Sequence, residues 1–168
     1  MSYIPTNQLF VYAPDSTPMM LRSSERYTRS EMMTMDIISG CNWERPIYFS
    51  VSGSTSIFLG LESYFEITGL TYHLTPVRSA DGRPRINTEV MYDNMMNNFK
   101  YGNMSQPDLY IDETLLNMCY THRSMFIRLA EALLRENKKD SAIKVLDYCE
   151  EVLPKYNIPY ESSSASMG

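Results

Sequence analysis

Hydrophobic and polar residues alternate over short stretches in the first half of the chain, a pattern typical of half-buried strands. In the clearest case, Ile47, Phe49 and Val51 share one face and the residues between them the other. Patterns of this kind predict strands over 45–52 and 70–77, and a run of mostly apolar residues with high strand propensity predicts another over 8–12. Partly helical spacing of apolar residues predicts a helix over 26–39, and a short helix is expected over 61–67, before Gly69.

From residue 87 onward the apolar residues follow the spacing of amphipathic helices. Met91, Met95 and Phe99 fall four residues apart and predict a helix over 87–101. Asp112 can cap a further helical run, since Asp accepts hydrogen bonds from the first free N–H groups of a helix. An interruption at 137–139 separates this run from a last helix over 140–153.

These elements predict an α+β fold: a small mixed part with short strands, followed by an α-helical hairpin. The predicted parts are a mixed region over 1–86, a helical region over 87–160 and a disordered tail over 161–168, where Ser is frequent.

Two alanines indicate that the last two helices cross closely in antiparallel fashion. Ala130 on the first helix and Ala142 on the second are small enough for the axes to approach. Pro154 ends the second helix. Larger residues at helical spacing should pack around the crossing: Phe126, Leu129, Leu133, Leu146 and Cys149.

This arrangement resembles the tetratricopeptide repeat (TPR) over residues 121–154. Phe126, the pair Leu129-Ala130, and Leu133 stand at the positions that define helix A of that repeat, and the second helix matches from Ala142 to Pro154 in the 34-residue register. The departures from the repeat pattern are Ala for Gly, Leu for Tyr and Cys for Ala. An unrelated helical hairpin is the alternative, because Leu and Ala at helical spacing are common. We find no second copy of the repeat one period upstream.

A wider resemblance covers most of residues 3–159. It is similar to the soluble C-terminal region of large bacterial membrane proteins of protein O-mannosyltransferase-like type, which are related to GT-C glycosyltransferases. The segments that carry it are 41–49, 59–65, 69–70, 87–94, 99–100 and 118–120. The resemblance implies a tail on the extracytoplasmic, periplasmic face of the inner membrane. It also implies that the catalytic carboxylates and the lipid-linked sugar site lie in the membrane part, so it assigns no catalytic residue here.

Composition narrows the function classes. Hydrophobic residues make up 43% and charged residues 21% of the 168, as in an ordinary folded domain. A net charge of -5 has the wrong sign for a nucleic-acid partner. No apolar run approaches the roughly 20 residues that span a bilayer, so we expect no direct membrane insertion by this segment.

Candidate chemistry is sparse. His73 and His122 have no nearby pattern of cysteines or carboxylates, so neither is expected to be catalytic. Cys41, Cys119 and Cys149 show no metal-ligand spacing and are interpreted as buried thiols. We expect no metal, no cofactor and no enzymatic activity.

Two functions stay open. The first is an interaction module whose partner is a protein, a peptide, or the membrane part of the same polypeptide, with Trp43, Arg45, Arg128 and Arg135 as possible contact residues. The second is an independent carbohydrate-active or carbohydrate-binding domain, with Trp43, Arg45, Glu62 and Glu66 near a sugar. In that reading Glu62 and Glu66, four residues apart, share a helical face.

Overall fold

A computed structural model describes residues 9–24 and 26–160. The described residues form two compact units. One contains the residues up to Ile67 together with Thr71–Arg85, and the other contains Thr68–Leu70 and the residues from Ile86 onward. The predicted tail over 161–168 lies outside the described residues. The predicted α+β class is confirmed, since short strands come first and two long helices last.

The first unit begins with a two-stranded antiparallel ribbon of β1 (Phe10–Tyr12) and β2 (Pro18–Met20). Val11 and Met19 pair with each other and are buried. β1 confirms the predicted first strand within the described residues. β2 was not predicted, because residues 14–18 have the composition of a loop; Pro18 is tolerated as the first residue of its strand.

Helix α1 (Arg29–Cys41) begins with a capping box, in which Thr28 and Glu31 exchange side-chain and backbone hydrogen bonds. The predicted helix is confirmed with bounds shifted by two or three residues, but several of its apolar residues do not face the core. Met32, Met33 and Ile37 are exposed. The packed face instead carries Glu31, Met35 and Ile38, which follow the i, i+4, i+7 spacing.

A four-stranded sheet follows, with strand order β3-β5-β4-β6. The strands are β3 (Tyr48–Ser50), β4 (Phe65–Ile67), β5 (Thr71–Leu74) and β6 (Arg85–Ile86). β5 pairs antiparallel with both β3 and β4. One face of the sheet packs an aromatic cluster of Phe49, Phe58, Phe65 and Tyr72, with ring centroids 5.0–5.7 Å apart.

The predicted strands over 45–52 and 70–77 are confirmed as the shorter β3 and β5. The predicted helix over 61–67 is wrong, since a single 3-10 turn at Glu62–Tyr64 leads directly into β4. In β4, Phe65 and Ile67 face the core and Glu66 lies between them. Pairing with β5 decides this conformation, because strand formation depends on neighbouring strands more than on local sequence.

The second unit contains α2 (Thr88–Asp93), which continues as a π-helical turn (Asn94–Asn98), followed by α3 (Glu113–Arg135) and α4 (Lys139–Val152). Asp112 caps α3 as predicted, because its Oδ1 accepts a hydrogen bond of 2.8 Å from the Leu115 N–H. The helix predicted over 87–101 ends three residues early. The backbone is extended at Phe99.

Close packing at Gly69 fixes the position of Phe99 within the second unit. Gly69 has a φ of +141°, and a Cβ there would lie 2.9 Å from Cζ of Phe99. Only glycine fits both the backbone conformation and the space. Asn94 secures the same contact by donating a 2.8 Å hydrogen bond to the carbonyl of Thr68.

Candidate functional site

Helices α3 and α4 form a tightly packed hairpin. Ala130 and Ala142 are both buried. The residues placed around them by the repeat pattern are buried at Phe126, Leu129, Leu133, Cys149 and Pro154. Leu146 differs: it is 42% exposed, and Val145 takes the fully buried position beside it. Helical geometry explains the difference, because neighbouring residues point about 100° apart and only one of them can face α3.

The turn of the hairpin is held by charged hydrogen bonds. Asn137 adopts the left-handed conformation (φ 61°), and the Lys138 N–H reaches back to the carbonyl of Leu133 at 2.9 Å. The Glu136 carboxylate accepts hydrogen bonds from Lys138 Nζ at 2.7 Å and from Thr88 Oγ1 at 2.9 Å. These bonds lower the pKa of Glu136, with Lys138 as the largest cause. They tie the start of α2 to the hairpin turn.

Arg123 secures the other end of the hairpin from a buried position on α3. Its Nη2 donates to the carbonyls of Leu153 at 2.7 Å and Ile158 at 2.9 Å, and its Nη1 donates to that of Pro159 at 3.2 Å. The Tyr160 ring covers the guanidinium at 4.9 Å. Sequence reasoning missed this residue, although its spacing from Cys119, Phe126 and Ala130 places it on the packed face.

Aromatic side chains cover the inner side of the hairpin. Tyr101 lies 5.6 Å from the Phe126 ring and 6.0 Å from the rings of both His122 and Tyr148. Its hydroxyl donates to the carbonyl of Met95 at 2.7 Å. Burial, followed by the neighbouring Tyr148 and Cys149, raises the pKa of Tyr101 well above its usual range. His122 is therefore a packing residue whose Nδ1 lies 2.7 Å from the carbonyl of Met118.

The outer side of the same hairpin exposes four aliphatic residues, here named the exposed apolar face. Ile127 and Leu134 on α3 are 41% and 49% exposed, and Ile143 and Leu146 on α4 are 57% and 42% exposed. Ile127 lies about 140° around α3 from His122, and Leu146 about 160° around α4 from Tyr148. Both helices therefore turn this face away from the side that Tyr101 covers.

Charged residues surround the exposed apolar face. Glu131 lies between Ile127 and Leu134 on α3, while Lys139 and Glu150 lie at opposite ends of the stripe on α4. Arg128 and Arg135, the two predicted contact residues on this hairpin, are exposed and have no hydrogen-bond or ion-pair partner within residues 9–24 and 26–160. Both guanidinium groups are free to meet a partner.

Trp43 and Arg45, the contact candidates in the first unit, have different roles. Trp43 is half-buried against the core, and its Nε1 donates a 2.7 Å hydrogen bond to the carbonyl of Tyr12. Because its indole joins the ribbon to the end of α1, it is a packing residue. Arg45 is exposed, and its carbonyl accepts a weak hydrogen bond from the Cys41 thiol at 3.4 Å.

The carboxylates considered for sugar chemistry do not share a helical face, so that part of the alternative is wrong. Glu62 lies in the 3-10 turn and Glu66 in β4, where Glu66 faces Arg85 at 3.8 Å. His73 on β5 stacks on Tyr48. Of the three cysteines, Cys119 and Cys149 are buried as expected, whereas Cys41 is only partly buried.

Comparison with known families gives one match. The model of TMEM260-associated domain 2 matches residues 6–98, more than half of the chain. The chain belongs to this family. The TMEM260-associated domain therefore comprises the ribbon, α1, the four-stranded sheet and α2, and the match ends with the π-helical turn. The family name indicates a relation to TMEM260, a family of membrane proteins.

The remaining comparisons add no relative of the TMEM260-associated domain. No curated protein and no solved structure matches the chain. Over residues 9–24 and 26–160, no helix is both long and apolar enough to cross a membrane. Within those same residues, no group of three or more His, Cys, Asp or Glu side chains is arranged to hold a metal ion.

Proposed function

We propose that the chain is a non-catalytic protein-interaction module that binds an amphipathic helix of a partner polypeptide. The observation that carries the proposal is the exposed apolar face of the α3–α4 hairpin. Single exposed aliphatic residues are common, but a patch of them on two packed helices marks an interaction surface. Ile127, Leu134, Ile143 and Leu146 form such a patch.

A helix is the partner that best fits this surface. Two antiparallel helices leave a shallow groove between them, and a third helix can place its own i, i+3, i+7 stripe there. In stacked helical repeats, each hairpin covers the free face of the previous one in this way. The TPR-like register of residues 121–154 supports the same assignment, with the partner helix in the position of the next repeat.

The charges around the face define the expected partner more closely. Lys139 lies near the hairpin turn, and Glu150 lies at the opposite end of α4. A complementary helix carries an acidic residue opposite Lys139 and a basic residue opposite Glu150. Such charges fix the direction of a partner helix more than they raise its affinity.

We further propose that the module is the extracytoplasmic tail of a protein O-mannosyltransferase-like membrane protein. Two observations support this. The family match relates the chain to membrane proteins of the TMEM260 type, and the segments 41–49 and 59–65, which carry the resemblance to that glycosyltransferase class, fall inside the matched region. The first partner to test is therefore the membrane part of the same polypeptide.

Site-specific photocrosslinking tests the proposal. A benzoylphenylalanine placed at Ile143, on the exposed apolar face, is compared with one at Lys144, the next residue on α4, which is also exposed. In cells that express the protein, mass spectrometry should identify a crosslink from position 143 to an amphipathic helical segment. Replacing Leu134 with Asp should abolish it, whereas replacing Val90, an exposed apolar residue of α2, with Asp should not.

Three results would contradict the proposal. They are equal adducts from positions 143 and 144, adducts only between copies of this chain, and adducts to lipid or carbohydrate without a polypeptide. Glycosyl transfer by the purified chain from a polyprenyl-phosphate mannose donor would contradict its non-catalytic nature.

A further inference from the structure

Four polar side chains form a row across the solvent face of the four-stranded sheet, here named the outer-face row. Tyr48 on β3 pairs with His73 on β5, which pairs in turn with Glu66 on β4. Arg85 on β6 comes next, with its Nη2 3.8 Å from Glu66 Oε1. Because neighbouring strands lie about 4.8 Å apart, the row extends over roughly 14 Å.

Three members of the row have unused hydrogen-bonding capacity. Within residues 9–24 and 26–160, the Tyr48 hydroxyl, the His73 ring nitrogens and the Glu66 carboxylate have no hydrogen-bond partner. The Glu66 side chain is only 22% exposed, and at 3.8 Å its contact with Arg85 is too long for a hydrogen bond. The Glu66 oxygens can accept hydrogen bonds, and the Tyr48 hydroxyl can both donate and accept them, so the row is suited to a ligand that donates and accepts.

The same side chains are held in fixed positions. The rings of Tyr48 and His73 stack with centroids 4.7 Å apart and an angle of 22° between planes, although Tyr48 is 53% exposed. Arg85 Nη2 donates at 3.2 Å to Thr75 Oγ1, which itself donates at 3.0 Å to the carbonyl of Tyr64. A surface aromatic that is ordered without being buried, beside a positioned guanidinium, is a preorganised recognition surface.

We propose that the outer-face row binds a neutral carbohydrate. A sugar offers apolar C–H groups to the exposed ring of Tyr48 and, along its length, hydroxyl groups that donate to Glu66 and accept from Arg85. Glu66 and Arg85 carry opposite charges side by side. Each repels ions of its own sign, so the pair disfavours both anions and simple cations. The site lies in the first unit, and neither its residues nor its ligand depend on the hairpin.

An array of neutral oligosaccharides, followed by isothermal titration calorimetry of the bound member, tests the proposal on the full chain. We expect binding that falls at least tenfold in Tyr48→Ala and in Glu66→Gln. The control is Tyr110→Ala, which removes an 88% exposed tyrosine from the second unit and should leave binding unchanged. Circular dichroism of each variant separates loss of the site from loss of the fold. Glu66→Gln removes the charge but retains the size of the side chain.

Three outcomes would overturn the proposal. In the first, no neutral oligosaccharide binds. In the second, folded Tyr48→Ala and folded Glu66→Gln both bind as tightly as the unchanged chain. In the third, only acidic polysaccharides bind, which would assign the surface to anion recognition through Arg85.

Discussion

Arg123 on α3 donates a 2.7 Å hydrogen bond to the carbonyl of Leu153, the residue that follows α4. The same guanidinium reaches Ile158 and Pro159, and Tyr160 lies over it while donating a 2.5 Å hydrogen bond to Glu150. One buried cation thus satisfies carbonyls that α4 and the segment after it would otherwise leave without donors. This contact fixes where the chain runs after the hairpin.

We expect Arg123→Met to lower the free energy of unfolding by about 1.5 to 3 kcal/mol, the range for a hydrogen bond to a charged group. The methionine keeps much of the apolar volume but leaves the buried carbonyls of Leu153 and Ile158, and the more exposed carbonyl of Pro159, without this donor. Urea denaturation followed by circular dichroism measures the change. Arg128→Met, the same substitution at an exposed position of α3, is the control, and an equal loss in both variants would contradict the role of Arg123.

Ala142→Leu should destabilise the chain by about 1 to 3 kcal/mol, because the added methylene groups enter a closely packed helix crossing. Ala142 is 1% exposed, whereas Lys144 on the same helix is exposed. Thermal unfolding should therefore show a lower midpoint for Ala142→Leu and little change for Lys144→Leu. An unchanged midpoint in Ala142→Leu would mean that α3 and α4 do not cross at this residue.

Stability should depend on pH through Glu31. The Thr28 N–H is the largest cause that lowers the pKa of Glu31 below its ordinary value of 4.5, and the Thr28 hydroxyl and Arg22 add to it. A lowered pKa in the folded state means that this stabilisation is fully present above pH 4.5. It is lost as the pH falls from there through the folded pKa.

A comparison with Glu31→Gln measures this contribution. The unfolding midpoint of the variant should lie below that of the unchanged chain at pH 7, and the gap should narrow below pH 4.5. Asp36→Asn, at an exposed position of the same helix, serves as the control. If the difference between the two unfolding midpoints stays constant as the pH falls, the proposed contribution of Glu31 is contradicted.

The three thiols should react at different rates with Ellman's reagent. Burial raises the pKa of Cys149 to about 11 and also raises that of Cys119, so both are protonated and shielded at neutral pH. Cys41 is only partly buried. One thiol should therefore react in the folded chain and all three in urea, and Cys41→Ser should remove the fast reaction. Fast reaction of a second thiol in the folded chain would contradict the burial of Cys119 and Cys149.

Periodicity was enough for the helical hairpin because its contacts are local. The residues that make it, from Phe126 to Cys149, recur at three- and four-residue intervals, and a turn at 137–139 leaves only the antiparallel arrangement. The Asp112 cap is equally local, since its hydrogen bond spans three residues. Such features depend on neighbours along the chain, so the sequence shows them directly.

The first unit was predicted less well because its strands are only two to four residues long. At that length, periods of 2 and 3.6 residues cannot be told apart, which is why β4 was interpreted as a helix. The packed face of α1 could not be predicted for a related reason. Apolar residues lie all around that helix, so spacing alone could not show that Glu31 faces inward and Ile37 outward.

The sequence by itself determined the α+β class, the hairpin, its cap and the alanines of its crossing. Only the tertiary structure decided which surfaces are left for binding. The outer-face row joins residues of four strands, and Arg123 contacts carbonyls 30 to 36 residues later. Leu146 is outside because α3 covers one side of α4 and Tyr101 another. These outcomes depend on contacts between distant segments, whose strength no local pattern encodes.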